Sequence, residues 1–286
     1  MGAAMKNQSK AGKLEHAPVS VIIPCYRCAG TIQRALDSVI AQTLPPEEII
    51  LIDDFSNDEG ETLNALDRLR QVYQGTNIKI LRLDKNGGPG SARNAGWEVS
   101  SQPYLAFLDA DDSWHPKKLG IHYQWMAAHP DIVLSGHPSV KIAIGDAMPD
   151  LPKKLVAHCV NRRGLLFSNC FPTRSVMLKS EVPYRFIPGK RYAEDYMLWL
   201  TIVFSGQPAW LLNMPMAYSF KEEFGEAGLT ENLWKTQQGV LDTYQRLYSA
   251  GFISFFAFVL ISSFSFLKYF RRWGIVKWRA LFFRTF

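Results

Sequence analysis

Hydrophobic positions in the first part of the chain fall into short continuous runs separated by segments of helical spacing. Residues 19–23 form an apolar run ended by Pro24, the pattern of a buried strand. Ile32, Leu36, Val39 and Ile40 then recur at helical spacing, and a second apolar run over 49–52 is closed by Asp53 and Asp54. Leu63, Leu66, Leu69 and Tyr73 predict another helix, 78–83 a third strand, 91–99 a helix and 104–108 a fourth strand. Strands alternating with helices in this way imply right-handed βαβ units: an α/β fold with a mostly parallel central sheet flanked by helices. After Pro116 the pattern predicts a helix through Met126 and a strand over 132–134. From 136 to 188 it is less regular, with a short strand over 175–178. Helices are predicted over 193–204 and 230–248, the second with Thr230 as its N-cap.

Parallel sheets of this kind bind ligands outside the carboxyl ends of their strands. Two acidic clusters stand at such ends. Asp109, Asp111 and Asp112 follow the fourth strand directly; three carboxylates so close repel one another unless something cationic joins them. A hard divalent cation held by one or two carboxylates and by substrate phosphates meets that need. A solvated acidic turn is the plainer alternative, and the position at the strand end favours the site. Asp53 and Asp54 close the second strand, where a carboxylate can accept hydrogen bonds from a base edge or a ribose. The neighbouring Ser56, Asn57 and Asp58 equally suit a helix cap, and the two roles are compatible. Between Asn86 and Gly96 a glycine-rich turn opens a helix, and Arg93 near its start can reach a diphosphate. Taken alone it is only a turn: there is no GxGxxG and no GxxxxGK[ST]. Glu194 and Asp195 begin a later helix, whose dipole favours an ionised carboxylate and so suits a general base. His115, His122, His137 and His158 have no evident ligand partner.

At these residues the sequence resembles the family 2 glycosyltransferases, the large inverting group with the Rossmann-like GT-A fold. The resemblance runs over residues 19–220, and five motifs carry it in order. These are the opening strand through Pro24 and Tyr26, the acidic turn at Asp53 and Asp54, the NxGxxxARNxG-like stretch from Asn86, the DxD at Asp109 and Asp111, and the Glu194–Asp195 pair. It implies that Asp54 and Arg93 contact the nucleotide and that Pro24 and Tyr26 line its base pocket. It also implies that Asp109 binds ribose or metal, and that Asp111 ligates Mn2+ or Mg2+ with Asp112 in support. Asp195, beside Glu194, is then the catalytic base. Arg27 and Cys25 depart from the family pattern in the base pocket. No QxxRW follows the acid pair, so a processive polymerase is disfavoured.

Charge adds a second theme. The formal net charge of the 286 residues is +6, and six basic residues (Lys268, Arg271, Arg272, Lys277, Arg279 and Arg284) lie in the last nineteen, which hold no acid. The remainder is balanced, which argues against a nucleic-acid partner and assigns the excess to a tail. Residues 247–267 carry no charge, a length able to span a bilayer, although five are serine. A single span would place the basic end and the catalytic domain on opposite sides. An interfacial or re-entrant helix pair keeps both on one side, with Trp273, Trp278, Phe282 and Phe283 in the headgroup zone. The plainer alternative is an amphipathic tail packed on the domain or on a partner chain, which six basic residues without an acid disfavour. The lone Cys25–Cys28 CxxC has no second pair at zinc spacing, so unlinked thiols are expected. Residues 1–17 are polar and show no secretory signal, and Lys6 breaks a myristoylation motif.

The expected organisation is a polar arm (1–17), a GT-A catalytic domain (18–225) and a helical, basic and aromatic tail (226–286). Resemblance and tail together imply an inverting, metal-dependent transferase at the cytoplasmic face of the inner membrane, docked on its anionic surface. It would move sugar from a nucleotide-sugar donor, a UDP-sugar in first place, to a hydroxyl of a lipid-linked saccharide in surface-polysaccharide assembly. The rival readings are a polyprenyl-phosphate sugar synthase and a membrane-bound nucleotide-binding scaffold without turnover.

Overall fold

The structure is a computed structural model that describes residues 15–221 and 232–282, with side chains up to 278. Its elements in order are β1 (Ala17–Cys25), α1 (Ile32–Ile40), β2 (Pro46–Asp53), α2 (Glu61–Val72), β3 (Ile78–Arg82), α3 (Pro89–Glu98) and β4 (Tyr104–Phe107). Next come β5 (Ser113–Trp114), α4 (Lys118–Ala128), β6 (Leu134–Gly136), β7 (Ser139–Lys141), β8 (Ala157–Cys159) and α5 (Arg162–Phe167). A 3-10 turn (Thr173–Ser175), β9 (Met177–Lys179), α6 (Glu194–Phe204), β10 (Ala209–Leu212), β11 (Ala217–Ser219), α7 (Leu233–Ser249) and α8 (Phe255–Phe282) complete the series.

The main sheet has the order β3-β2-β1-β4-β9-β6-β10-β8. β3, β2, β1 and β4 are parallel, and β6 pairs in parallel with β10; β9 and β8 run against their neighbours. The apolar runs of β1 and β2 are continuous because both faces of the sheet are covered. Val21, Ile23, Ile49 and Leu51 join one core with Leu36, Leu66 and Met126. Ile22, Ile50 and Ile52 enter the other with Trp97, Trp199 and Ile202. Pro24 stays inside β1 because the pairing with β4 has already ended at Ile22 and Phe107, so its missing N–H is not needed on that side. Gly96 lets α3 lie close on the sheet: a Cβ there would come within 2.8 Å of both Ile22 and Ile52.

The irregular middle region differs most from expectation. The strand expected over 132–134 forms over Leu134–Gly136, and that over 175–178 begins at Met177, after the 3-10 turn. Two short strands from the middle and late chain, β7 and β11, join β5 in a second sheet of order β5-β11-β7. Strands of two or three residues are too short to leave a period in the sequence.

At the C-terminal end, Thr230 lies outside the described residues. The Asn232 side chain caps α7 by accepting from the Lys235 N–H. The uncharged stretch over 247–267 is not one helix, because the chain turns between α7 and α8, with Gly251 at φ +75°. Among the described residues no helix is long and apolar enough to cross a membrane. α7 and α8 pack together, and Tyr244, Leu247, Ile253 and Ile261 belong to the main core. Two residues of the basic cluster face inward: Lys268 Nζ donates to the Phe167 carbonyl (2.6 Å) and Arg272 Nη2 to Gln237 Oε1 (3.2 Å).

Candidate active site

The parallel strands place four loops at one edge of the sheet. The loops leaving β1 and β2 are joined side chain to side chain. Tyr26 Oη and Arg27 Nε both donate to Asn57 Oδ1 (3.0 and 2.7 Å), and the Arg27 N–H donates to Ser56 Oγ (3.0 Å). Arg27 and Phe55 adopt left-handed backbone conformations at φ +49° and +55°. The rings of Tyr26 and Phe55 remain 44% and 43% exposed, two aromatic surfaces at neighbouring strand ends. Phe55 carries no sequence signal of its own; its exposure follows from this backbone conformation.

Asp54, expected to contact a nucleotide, is buried and already occupied. Oδ1 accepts the Gly87 N–H and Oδ2 the Gly88 N–H, each at 2.8 Å. Burial raises its pKa, against the pull of those two amides. It therefore tethers the glycine loop that opens α3, where Gly88 sits at φ +82°. Arg93, expected to reach a diphosphate, is likewise engaged within the chain. Its guanidinium is almost wholly buried, with Nη2 2.5 Å from Asp109 Oδ1 and Nη1 2.9 Å from Glu194 Oε1. Burial alone would lower its pKa, but the charges of Asp109 and Glu194 raise it instead. The close seat of α3 on the sheet turns this side chain inward, where it ties the end of β4 to the start of α6.

The three carboxylates after β4 do not converge; each meets a different cation. Asp109 pairs with Arg93, Asp111 with Lys221, and Asp112 Oδ2 with Arg174 Nη1 at 3.1 Å. Against burial, Arg93 and Arg174 hold the Asp109 carboxyl below the usual range. Asp112 is buried, and burial together with Asp109 and Asp111 pushes it up to about 7 despite Arg174. Arg34 adds a further cation, donating to the Asp111 carbonyl (2.8 Å) while lying over the Phe220 ring (4.0 Å). The cationic company expected around this cluster is thus supplied in part by the chain itself.

These residues fit a hard divalent cation only as a shared site. Among the described residues no three His, Cys, Asp or Glu side chains gather to hold an ion unaided. Asp112 is turned inward with Oδ2 on Arg174, while Asp109 and Asp111 remain partly exposed oxygen donors at the same strand end. Two carboxylates plus substrate phosphates form a normal Mg2+ or Mn2+ environment. The orphaned Oδ1 of Asp112, buried without a hydrogen-bond partner, marks this as a place with unused acceptor capacity.

Glu194 and Asp195 separate into different environments. Glu194 is buried beneath Arg93, and burial, then Asp195, push its carboxyl up to about 7. Asp195 is held at the rim in the first turn of α6. Its Oδ1 accepts the Tyr196 N–H (2.7 Å), and its Oδ2 accepts Thr173 Oγ1 (2.9 Å) and Asn169 Nδ2 (3.3 Å). Thr173, Asn169, Arg174 and Lys221 all escaped sequence reading because only the fold brings them here.

The histidines have other partners. His122 Nε2 lies 2.6 Å from Ser135 Oγ, and His137 Nδ1 2.9 Å from the Pro138 carbonyl. Burial lowers both imidazole pKa values, that of His137 to about 3. His115 Nδ1 accepts the Lys117 N–H. All four cysteines are free thiols.

A mainly parallel sheet with helices on both faces, acids at the ends of β2 and β4 and an acid pair opening α6 define a GT-A-like α/β fold. The chain belongs to glycosyl transferase family 2, whose profile matches residues 20–181. Over 110 residues it is 39% identical to the poly(ribitol-phosphate) β-N-acetylglucosaminyltransferase TarP of Staphylococcus aureus, covering 37% of this chain and 32% of TarP. The chain thus spans about a third of the length of that relative. In structure it is similar to S. aureus TarS 1-349 in complex with UDP-GlcNAc, with a TM-score of 0.63 at 19% identity over 80% of this chain and 66% of that one. It is also similar to the mannosyltransferase PcManGT of Pyrobaculum calidifontis in complex with GDP-Man and Mn2+, with a TM-score of 0.58 at 17% identity over 91% and 84% of the two chains.

Proposed function

We propose that the protein is an inverting, metal-dependent glycosyltransferase that moves a sugar from a nucleotide sugar, a UDP-sugar in first place, to a hydroxyl of a lipid-linked saccharide in surface-polysaccharide assembly. One observation carries the reading: Arg93 bonds both Asp109 and Glu194, so the acidic loop after β4 and the carboxylate of Asp195 open on the same edge of the sheet. The family, the UDP-GlcNAc in TarS and the polymer acceptor in the name of TarP support it.

In this reading the donor base lies near Pro24, Tyr26 and Phe55, whose exposed rings suit stacking. The diphosphate lies at Asp109 and Asp111, the residues that would hold Mn2+ or Mg2+. Such a cation supplies charge stabilisation for the departing nucleoside diphosphate. Asp195 accepts the proton of the acceptor hydroxyl while that oxygen attacks the anomeric carbon in line; the new C–O bond forms as the bond to the diphosphate breaks, and configuration inverts. Panels of UDP-, GDP- and dTDP-sugars with Mn2+ test this by product analysis on polyprenyl-diphosphate saccharides. The expected product is the extended saccharide with free nucleoside diphosphate. Sugar found on a polyprenyl monophosphate selects the synthase reading instead, and nucleotide binding without any transfer selects the scaffold.

The same proposal places the enzyme on the cytoplasmic face of the inner membrane. α8 contains no acid. Its outward face carries Phe256, Leu260, Leu267, Phe270 and Trp278, spaced to lie on one side of a helix, with the exposed Arg271 and Lys277 alongside. An amphipathic helix of this kind lies in the headgroup zone of an anionic bilayer. Truncating the tail would remove Ile253 and Ile261 from the core, so point variants are the better test. Phe256→Glu, Leu260→Glu and Leu267→Glu should each weaken flotation with phosphatidylglycerol vesicles by about tenfold or more, with unchanged circular dichroism. Flotation of the triple variant at wild-type levels would remove α8 as the anchor.

A further inference from the structure

Resting on the glycosyl-transfer reading, we propose that the 3-10 turn Thr173–Ser175 positions the general base, with Thr173 as a positioning residue acting through Asp195. The turn sits between the two halves of the site and is bonded to each. On one side Thr173 Oγ1 donates to Asp195 Oδ2 at 2.9 Å. On the other, Arg174 Nη1 donates to Asp112 Oδ2 at 3.1 Å, and the Arg174 carbonyl accepts Trp114 Nε1 at 2.7 Å. Two adjacent residues of the turn therefore span from the base to the acidic loop.

The turn is held firmly enough to serve as a reference. Ser175 Oγ donates to the Pro172 carbonyl (2.8 Å) and Arg174 Nε to Ser139 Oγ (2.7 Å), while Trp199 Nε1 from the middle of α6 donates to the Phe171 carbonyl (3.2 Å). Thr173 and Ser175 are buried, and β9 leaves the turn directly into the sheet beside β4. Asp195, by contrast, sits at a helix start whose preceding residue, Ala193, is in a left-handed conformation and offers no side-chain cap. An aspartate there turns about χ1 and χ2 unless its oxygens are engaged. Oδ1 is engaged by its own helix through the Tyr196 N–H. Oδ2 is fixed from outside by Thr173, with the exposed Asn169 as the longer partner. Thr173 thereby fixes the plane of the carboxylate. With Thr173 and Asn169 on Oδ2 and only the Tyr196 N–H on Oδ1, the lone pair left to receive the acceptor proton is the second one on Oδ1. Proximity of this kind is lost steeply with small displacements of the reacting group.

Thr173→Val keeps the shape and removes the hydroxyl. With the UDP-sugar and acceptor pair of the transfer assay, kcat should fall by about tenfold while the donor KM stays within about twofold, because the donor residues are untouched. Thr173→Ser should restore most of the loss. In the Asp195→Asn background, Thr173→Val should cost almost nothing further, since its effect is exerted through the carboxylate. Wild-type kcat in Thr173→Val overturns the proposal, as does a full additional loss in the double variant or failure of serine to rescue. These outcomes leave the transferase reading intact provided Asp195→Asn itself is impaired. A fully active Asp195→Asn enzyme instead overturns the reading on which the proposal rests.

Discussion

Replacing Asp195 by asparagine is expected to lower sugar transfer by about 10²–10⁴-fold while donor affinity stays near wild type, the range set by loss of a general base. The substitution is close to isosteric. Its amide oxygen can still accept the Tyr196 N–H, which anchors Oδ1 of the aspartate at 2.7 Å. What disappears is an anion able to receive the acceptor proton. Glu194 cannot take its place: it is buried, and its Oε1 is engaged by Arg93 at 2.9 Å. The size of the loss also separates the two enzymatic readings. A sugar hydroxyl is a weak nucleophile that needs its proton removed, whereas a lipid phosphate is already ionised at neutral pH. A phosphate acceptor would gain little from Asp195 and would be repelled by its charge. Titration with UDP alongside initial-rate measurement decides the matter, and retention of more than about half of the wild-type kcat would exclude Asp195 as the base.

The contrast between Asp195 and Arg93 illustrates what a single sequence discloses. Continuous apolar runs alternating with helical spacing place β1, β2, β4 and their following acids because those strands are covered on both faces and packed with apolar side chains. The position of Asp109 and Asp111 at the binding edge follows from that topology alone, whereas Asp195 stands out by its place at a helix start and by the family resemblance. Whether an acid or an arginine at such an edge faces a ligand or another part of the chain does not. Asp54 looks outward in sequence, yet its two oxygens go to amides more than thirty residues away. Asp112 looks like a metal ligand, yet Arg174 covers it from a turn 62 residues downstream. Such assignments depend on non-local partners in the irregular middle of the chain, where strands of three residues leave no period. The tail divides in the same manner: its basic count is visible in the sequence, but not that Lys268 and Arg272 turn inward while Arg271 and Lys277 face out.

Arg93→Met should be among the most destabilising single changes in the chain, by about 3–5 kcal/mol, because it leaves two carboxylates without their shared buried cation. Asp109 and Glu194 meet Arg93 through separate nitrogens, 2.5 and 2.9 Å away, so lysine with its single ammonium cannot restore both contacts. The loss should depend on pH in a stated direction. Glu194 already has its pKa raised to about 7, first by burial and then by Asp195, with Arg93 pulling the other way. Removing Arg93 raises it further. A carboxyl whose folded pKa lies above its unfolded value stabilises the fold fully below the unfolded value of about 4.5, and loses that contribution as pH rises through the folded one. The gap in stability between wild type and Arg93→Met should therefore widen from pH 5 to pH 8. Urea unfolding at both pH values measures it, and Arg93→Met/Glu194→Gln should narrow the gap at pH 8 because the second change removes one stranded charge. A gap independent of pH would mean that the arginine stabilises by packing against Phe186, 5.5 Å from its guanidinium, and not by neutralising Glu194.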